Sequence, residues 1–444
     1  RYAIHYGSKD IEQLEGIIKD TDLVMISTNS TNVLSAVKVT GMVRNRFPGM
    51  KVVWGGPHCI SAPEQSLKYA DIVCYSEADT VINDLVEEIE SGAEEFKTGS
   101  VAYRDGEEIK TNPPAALLNE LDSLPYPDYN FDDSYLLDDN LKEFNDRLFE
   151  QYSAFYPFRI PVFEVLSSRG CPHKCTYCNN TSFHKMYGRN PIRFRSVDHF
   201  FGELIHGMER FAFFQRVGFG DDDFFLRPLS QIEDFAERYR KKINLPFSIC
   251  ISANTFNKQK LEVLADAKLK VVQIGVQSAS QRMLDEVYER QIDNRKLVEV
   301  IKQTAPYFHS HKMRTLLDFI IDNPYENTDD IRQSLDMILN LPRGALFNTF
   351  ALSFFPGTPL YKKALDDGYI EPYSPYALRR YGSHNIRYQN NFPTFLILTV
   401  KKFRYSRIYR RILRPIMKKM NTNGFMKISR LVPKFVYRFL NRAI

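Results

Sequence analysis

Three cysteines within eight residues carry the clearest chemical meaning in this sequence. They lie in Arg169-Gly170-Cys171-Pro172-His173-Lys174-Cys175-Thr176-Tyr177-Cys178, a Cys-x3-Cys-x2-Cys spacing. Three thiolates on one loop can hold three irons of a cubane 4Fe-4S cluster and leave the fourth iron open to a ligand. Structural zinc is the rival reading, but zinc wants a fourth ligand, usually from a second Cys or His pair. His173 sits inside the loop and no second pair follows, so iron is favoured. Cys59, Cys74 and Cys250 stand alone and read as small buried side chains. Six cysteines in 444 residues are too few for a disulfide scaffold, which points to a reducing compartment.

The elements that must position this loop follow from hydrophobic patterning. From residue 162 onward, β-branched runs alternate with helical stretches, giving strands near 163–167, 216–220, 247–252, 271–275, 314–321 and 348–352. Six such repeats predict a parallel, partial (β/α)6 barrel over 161–370, with the cysteine loop after its first strand. Upstream, residues 1–100 show the same alternation, with strands at 2–5, 23–27, 51–54 and 72–75 and helices at 35–47, 62–68 and 80–90. That pattern predicts a Rossmann-like α/β domain. Its strand ends carry Ser27-Thr28-Asn29-Ser30 and Gly55-Gly56-Pro57-His58, small residues where open α/β sheets hold ligands. Residues 101–160 read as a connecting segment that opens with a hairpin over 101–111 turning at Asp105-Gly106.

At this point the chain resembles the radical S-adenosylmethionine (SAM) superfamily. That resemblance implies that Cys171, Cys175 and Cys178 bind the 4Fe-4S cluster, with Tyr177 beside the adenine of SAM. Phe219-Gly220-Asp221-Asp222-Asp223-Phe224 resembles the Phe-x-Asp-Asp-x-Phe motif, which places Asp221 and Asp222 near the SAM amino group. The alternative reading of these acids is a helix N-cap before 229–243. Ile274-Gly275-Val276-Gln277-Ser278-Ala279-Ser280 is similar to a Gly-Val-Glu-Ser-Gly-Ser segment that contacts ribose, with Gln277 in place of Glu. Ser252 and Asn254 occupy the third strand end, where the family contributes further SAM contacts. Residues 318–326 and Phe355-Pro356-Gly357-Thr358 look like the fifth-strand and post-sixth-strand signatures, and read as turns.

The first domain followed by this barrel is similar to the cobalamin-binding subgroup. The matching residues are Ser27, Thr28, Ser30, Gly55, Gly56, His58 and, in Ser76-Glu77-Ala78-Asp79, Glu77. In that subgroup strand-end loops hold the nucleotide tail of cobalamin. No Asp-x-His-x-x-Gly signature supplies a histidine to cobalt, and His58 reads as a polar contact to the tail rather than a cobalt ligand. With both cofactors the resemblance implies radical methylation of an unactivated carbon, with a low-potential donor such as flavodoxin or ferredoxin supplying electrons. Cyclisation or rearrangement without methyl transfer is the alternative. A cobalamin sensor or assembly factor is the non-enzymatic one, and leaves the cysteine loop unexplained. Methylthiotransfer to tRNA is disfavoured, because it needs three further cysteines where only Cys59 and Cys74 occur.

Charge is unevenly distributed. The last acidic residue is Glu371, and the 73 residues after it hold 17 of the 59 Lys and Arg, leaving 42 bases against 54 acids before them. The region 371–444 therefore reads as a basic tail, helical and amphipathic from 401, with Phe425, Ile428, Leu431, Phe435 and Leu440 on one face. Such a helix suits peripheral contact with an anionic membrane and a lipid substrate, or it packs on the barrel; nucleic acid is the least favoured partner. No run reaches the roughly 18 apolar residues of a membrane span. The expected location is the cytoplasm, peripheral at the inner face of the membrane if the tail binds lipid. The opening lacks a secretory layout, and its first strand reads as a second one, so the N-terminus is expected to be incomplete.

Overall fold

A computed structural model describes residues 8–138, 140–155, 160–342 and 344–371, with scattered positions between 396 and 415. The proposed strand at 2–5 and the tail residues Phe425, Ile428, Leu431, Phe435 and Leu440 lie outside the described residues. The chain divides into two compact units. One comprises Arg1–Ala154, Gly170–Arg195 and Ser353–Asn385, the other Phe155–Arg169, Ser196–Leu352 and Ile386–Ile444.

The first unit is built on a five-stranded sheet in chain order. Leu23–Ser27, Lys51–Gly55 and Ile72–Cys74 run parallel, as the alternation predicts. The hairpin Val101–Asp105 with Glu108–Thr111 pairs antiparallel to the third strand, through Ile72 opposite Tyr103. It thus extends the sheet, a role that its turn chemistry alone does not reveal. Both faces are covered, as parallel strands require. Trp54 is fully buried on one face, where its indole donates to Thr40 Oγ1 at 2.9 Å and its ring stacks on Tyr69. Val53, Ile72, Leu85, Phe96 and Tyr103 form the other. The helix expected over 62–68 is two short helices, Pro57–Ser61 and Pro63–Ser66, each opened by a proline whose missing N–H costs nothing at a first turn. Helix Ser8–Ile18 was not expected; its Leu14 and Ile18 pack on the Trp54 side.

The second unit contains a seven-stranded sheet in which six parallel strands follow one another in chain order. They are Ile160–Val165, Arg216–Phe219, Phe247–Ile251, Leu269–Gln277, Arg314–Ile321 and Ala345–Ala351. All six fall where the pattern places them. Helices Val197–Arg210, Leu229–Lys242, Lys258–Asp266, Asn294–Ser310 and Thr328–Asn340 connect them. Phe200, Phe219, Phe235, Tyr239 and Phe247 interlock edge to face between helices and sheet, an arrangement that adds directional attraction to the buried area. Along the strands one face is buried while the other alternates with accessible positions. The result is a curled parallel half-barrel. No described helix is long and apolar enough to cross a membrane.

Candidate active site

The cysteine loop belongs to the first unit. Gly170 turns into it at φ +99°, and a Cβ there would stand 2.2 Å from the Pro191 carbonyl oxygen, so no other residue fits. Cys175 is buried and Cys171 and Cys178 are half-buried; all three thiols are unbridged. The loop backbone is tied at each cysteine. The Cys178 amide donates to Cys175 O at 3.0 Å, Thr181 Oγ1 donates to Cys178 O at 2.6 Å, and His184 Nε2 lies 3.0 Å from Cys171 O. Thr176 O accepts from the Leu360 amide at 2.9 Å. Helix Asn180–Tyr187 starts directly after Cys178, and the positive end of a helix favours thiolates. Among the described residues, no three Cys, His, Asp or Glu gather as they would around a single metal ion. The donor set suits a cubane, which gives each thiolate its own iron and keeps the sulfurs apart. Tyr177 is half-buried between Cys175 and Cys178.

At the second barrel strand the three adjacent acids have different roles. Asp221 is buried, and accepts from Ser167 Oγ at 2.8 Å, the Ser167 amide at 3.3 Å, and Ser168 Oγ. It locks the end of the first barrel strand, and burial raises its pKa. Asp222 is exposed, so it is the acid of this motif best placed to meet a ligand's ammonium. Asp223, which sequence reasoning passed over, caps the turn Phe224–Leu226 and accepts from the Ser252 amide at 3.1 Å and from Thr255 Oγ1. Burial pushes its pKa up to about 6. The helix cap considered for these acids is therefore made by Asp223 one turn early; the helix Leu229–Lys242 has no side-chain cap.

Ser252 is buried and accepts from the Asn254 amide at 3.3 Å, while Asn254 Nδ2 donates to Gln291 O at 2.6 Å. Gln277 ends the fourth strand at φ +64°, a strained position for a side chain with Cβ. Over Gly275, Gln277 Nε2 and Arg290 Nη2 share the space that a Cβ would fill, at 2.7 and 3.0 Å. Arg290 also donates to Gly275 O at 3.2 Å. It is a second unexpected participant, lying 13 residues beyond Gln277 and joined to it only by the fold. Ser278 is fully buried and accepts from the Ser280 amide at 3.2 Å.

In the first unit the strand-end candidates come together. Gly56, at φ +89°, packs so closely that a Cβ would stand 2.8 Å from Ser27 Oγ and Thr28 O. The Thr28 amide donates to Gly55 O at 2.9 Å, and the His58 amide to Thr28 O at 3.1 Å. His58 is fully buried in the first turn of its helix, with Nδ1 3.0 Å from Ser30 Oγ. Burial lowers its pKa to about 4, so the ring is neutral at pH 7. Glu77 forms a two-point ion pair with Arg193, at 2.9 and 2.6 Å. Its neighbour Ser76 Oγ lies 2.7 Å from Tyr187 Oη. Small loops with Ser27 still exposed suit a ligand approached closely by backbone. A histidine withdrawn into the core does not suit ligation of cobalt.

Comparison with known proteins agrees with this geometry. Residues 165–338 match the Radical SAM superfamily model. A Pyrococcus horikoshii protein named an uncharacterized methyltransferase is 24% identical over 352 residues, covering 78% of this chain and 70% of its own. TokK of Streptomyces tokunonensis, named a cobalamin-dependent radical SAM methyltransferase, is 23% identical over 361 residues, covering 79% of this chain and 49% of its own. Among solved structures, TsrM from Kitasatospora setae, a radical SAM methyltransferase with tryptophan and a SAM analogue bound, superposes with a TM-score of 0.64. It is 13% identical, over 81% of this chain and 68% of that one, a likeness of fold. Residues 165–338 of this chain are a radical SAM domain, and the chain has cobalamin-dependent radical SAM methyltransferases among its neighbours.

Proposed function

We propose that the protein is a cobalamin-dependent radical SAM methyltransferase acting on an unactivated carbon of a small-molecule substrate. The observation that carries this reading is the three-thiol loop Cys171 to Cys178, directly following in sequence the first strand of a consecutive parallel half-barrel. Bound there, a 4Fe-4S cluster would supply the electron that splits SAM and yields a hydrogen-abstracting 5′-deoxyadenosyl radical. Cobalamin, held by the first unit, would supply the methyl group.

The remaining chemistry falls to the chain's own residues. Asp222 receives the SAM ammonium through a charge-assisted hydrogen bond. Asp221 and Asp223, already committed to serines and Thr255, hold the strand ends that position it. Gln277 offers an uncharged amide to the ribose, with Arg290 beside it, and Tyr177 flanks the adenine. Ser252, Asn254 and Ser278 act by shaping their loops. In the first unit Ser27, Thr28, Ser30, Gly55 and Gly56 line the loops for the cobalamin tail. Glu77 acts through Arg193, and His58 through Ser30, without touching cobalt.

A flavodoxin or ferredoxin as electron donor, and membrane contact through 401–444 at the inner face of the membrane, belong to the same proposal. Liposome flotation with and without 401–444 tests the membrane part, which equal flotation would overturn. The central test is anaerobic reconstitution with and without cobalamin, measuring 5′-deoxyadenosine and S-adenosylhomocysteine. Cobalamin-dependent S-adenosylhomocysteine supports methyl transfer. Deoxyadenosine alone points to cyclisation or rearrangement, and neither product overturns the reading.

A further inference from the structure

The carbonyls of the three loop cysteines are not held alike. The Cys175 carbonyl accepts from the Cys178 amide at 3.0 Å, and the Cys178 carbonyl accepts from the Thr181 amide at 3.1 Å and from Thr181 Oγ1 at 2.6 Å. Both partners lie three residues along the chain, as in any tight turn. The Cys171 carbonyl is met from much further away, by His184 Nε2 at 3.0 Å, thirteen residues on. Pro172, next after Cys171, has no amide hydrogen with which to close a turn there.

A carbonyl oxygen only accepts, so Nε2 of His184 carries the hydrogen and donates it. Nδ1 is then the bare nitrogen of the ring; it is buried and meets no hydrogen-bond partner among the described residues. Burying an unmatched nitrogen is unfavourable, and closing a loop does not by itself require it. What the imidazole contributes is direction, because its N–H lies in a rigid ring set by two torsions.

The helix that carries His184 is itself pinned. Thr181, His184 and Tyr187 are spaced by three and share one face of Asn180–Tyr187. Thr181 holds the carbonyl at one end of the cysteine triplet and His184 the carbonyl at the other. Tyr187 Oη donates to Ala115 O at 2.9 Å and lies 2.7 Å from Ser76 Oγ. One helical face thus reaches both end cysteines and is fastened to the loops of the first sheet. Partners that orient a metal ligand also govern how firmly the metal is held, and hydrogen bonds around an iron-sulfur cluster help to set its reduction potential.

We propose that His184 is a positioning residue for the cluster, fixing the backbone of Cys171 and through it the direction of one of the three thiolates and the readiness of the cluster to accept an electron. This rests on the radical SAM reading of the cysteine loop. The test compares the full native chain with His184→Phe, His184→Gln and Tyr187→Phe, each reconstituted anaerobically with iron and sulfide. Iron and sulfide per chain, the rate of iron loss to a ferrous chelator, and the EPR spectrum and midpoint potential of the reduced cluster are measured. His184→Phe is expected to lose iron about tenfold faster, with a more negative midpoint and an altered EPR signal. His184→Gln, which keeps an N–H donor within reach, is expected to recover most of the native rate and potential. Tyr187→Phe removes a bond from the same helix without touching a cysteine, and is expected to lower the melting temperature while leaving potential and EPR signal native. Native potential and iron loss in His184→Phe would overturn the proposal, as would a glutamine variant as impaired as the phenylalanine one, or a Tyr187→Phe chain that loses iron as fast. If His184→Phe takes up no cluster, His184→Gln decides: near-native behaviour supports the proposal and equal loss overturns it. Absence of a 4Fe-4S signal in the native chain would sink the radical SAM reading, and this inference with it.

Discussion

The two sheets of this chain share a β-then-α construction and treat polar side chains differently. In the first sheet's unit polar side chains close on one another in pairs: Glu77 with Arg193, Ser30 with His58, Thr40 with the Trp54 indole. In the barrel, Asp221, Asp223 and Asp318 are likewise paired, while Glu164 and Asp222 are exposed and Gln277 sits at a strained φ of +64°. Matched pairs inside one unit hold loops in place. Exposed or strained groups at strand ends are where a ligand finds its contacts. The cysteine loop belongs with the second kind by chemistry, although it is anchored in the first unit.

Replacing any one of Cys171, Cys175 and Cys178 with Ala gives the sharpest test of that division. Iron binding and SAM cleavage are expected to fall to background, while Cys59→Ala and Cys74→Ala keep both; iron and sulfide analysis with deoxyadenosine quantification decides it. Next comes Arg193→Ala, which strands Glu77 without its partner and is expected to cost about 3–5 kcal/mol in urea unfolding. The double variant Arg193→Met, Glu77→Leu should recover most of that loss; failure to recover would show that the bond from Arg193 to the Leu118 carbonyl, not the ion pair, carries it. Gly170→Ala is expected to cost about 1–3 kcal/mol, because φ +99° and the Pro191 carbonyl both exclude a Cβ. Its iron occupancy should fall with stability.

The smallest effect concerns His58. Burial holds its pKa at about 4 against 6.5 in the unfolded chain. The unfolded state therefore binds more protons in this window, and stability falls as pH drops from 6.5 towards 4. The slope from this group is at most about 1.4 kcal/mol per pH unit. His58→Gln should flatten that component, seen in urea midpoints measured across the range; an unchanged slope would place the proton elsewhere.

Strand positions were legible because a β-branched run followed by an amphipathic stretch has few other solutions. The fifth barrel strand, Arg314–Ile321, coincides with its run of Leu, Phe and Ile. The cysteine loop was legible for the opposite reason, since its chemistry is local and needs no tertiary partner. What the pattern could not display were partnerships across long separations. Asp221 and Asp222 read as equivalent, and only Ser167 and Ser168, from the strand before, separate a structural acid from an exposed one. Glu77 read as a cofactor contact because Arg193 is 116 residues away. Glu164 alternates with Phe163 and Val165 like any strand residue, and Gly218, whose missing side chain leaves room for its carboxylate, comes from another strand.

The hydrogen bond from Leu360 to Thr176 carries a consequence for how the protein is made. Each barrel strand pairs with the one synthesised just before it, so the half-barrel can assemble progressively as the chain leaves the ribosome. The cysteine loop cannot follow that schedule. One of its anchors arrives only after all six barrel strands have emerged, and until then three thiols wait on an unfinished loop, open to oxidation and to the wrong metal. A chain truncated before Leu360 is therefore expected to form its barrel and to hold iron less firmly than the full chain, as iron analysis of the two would show.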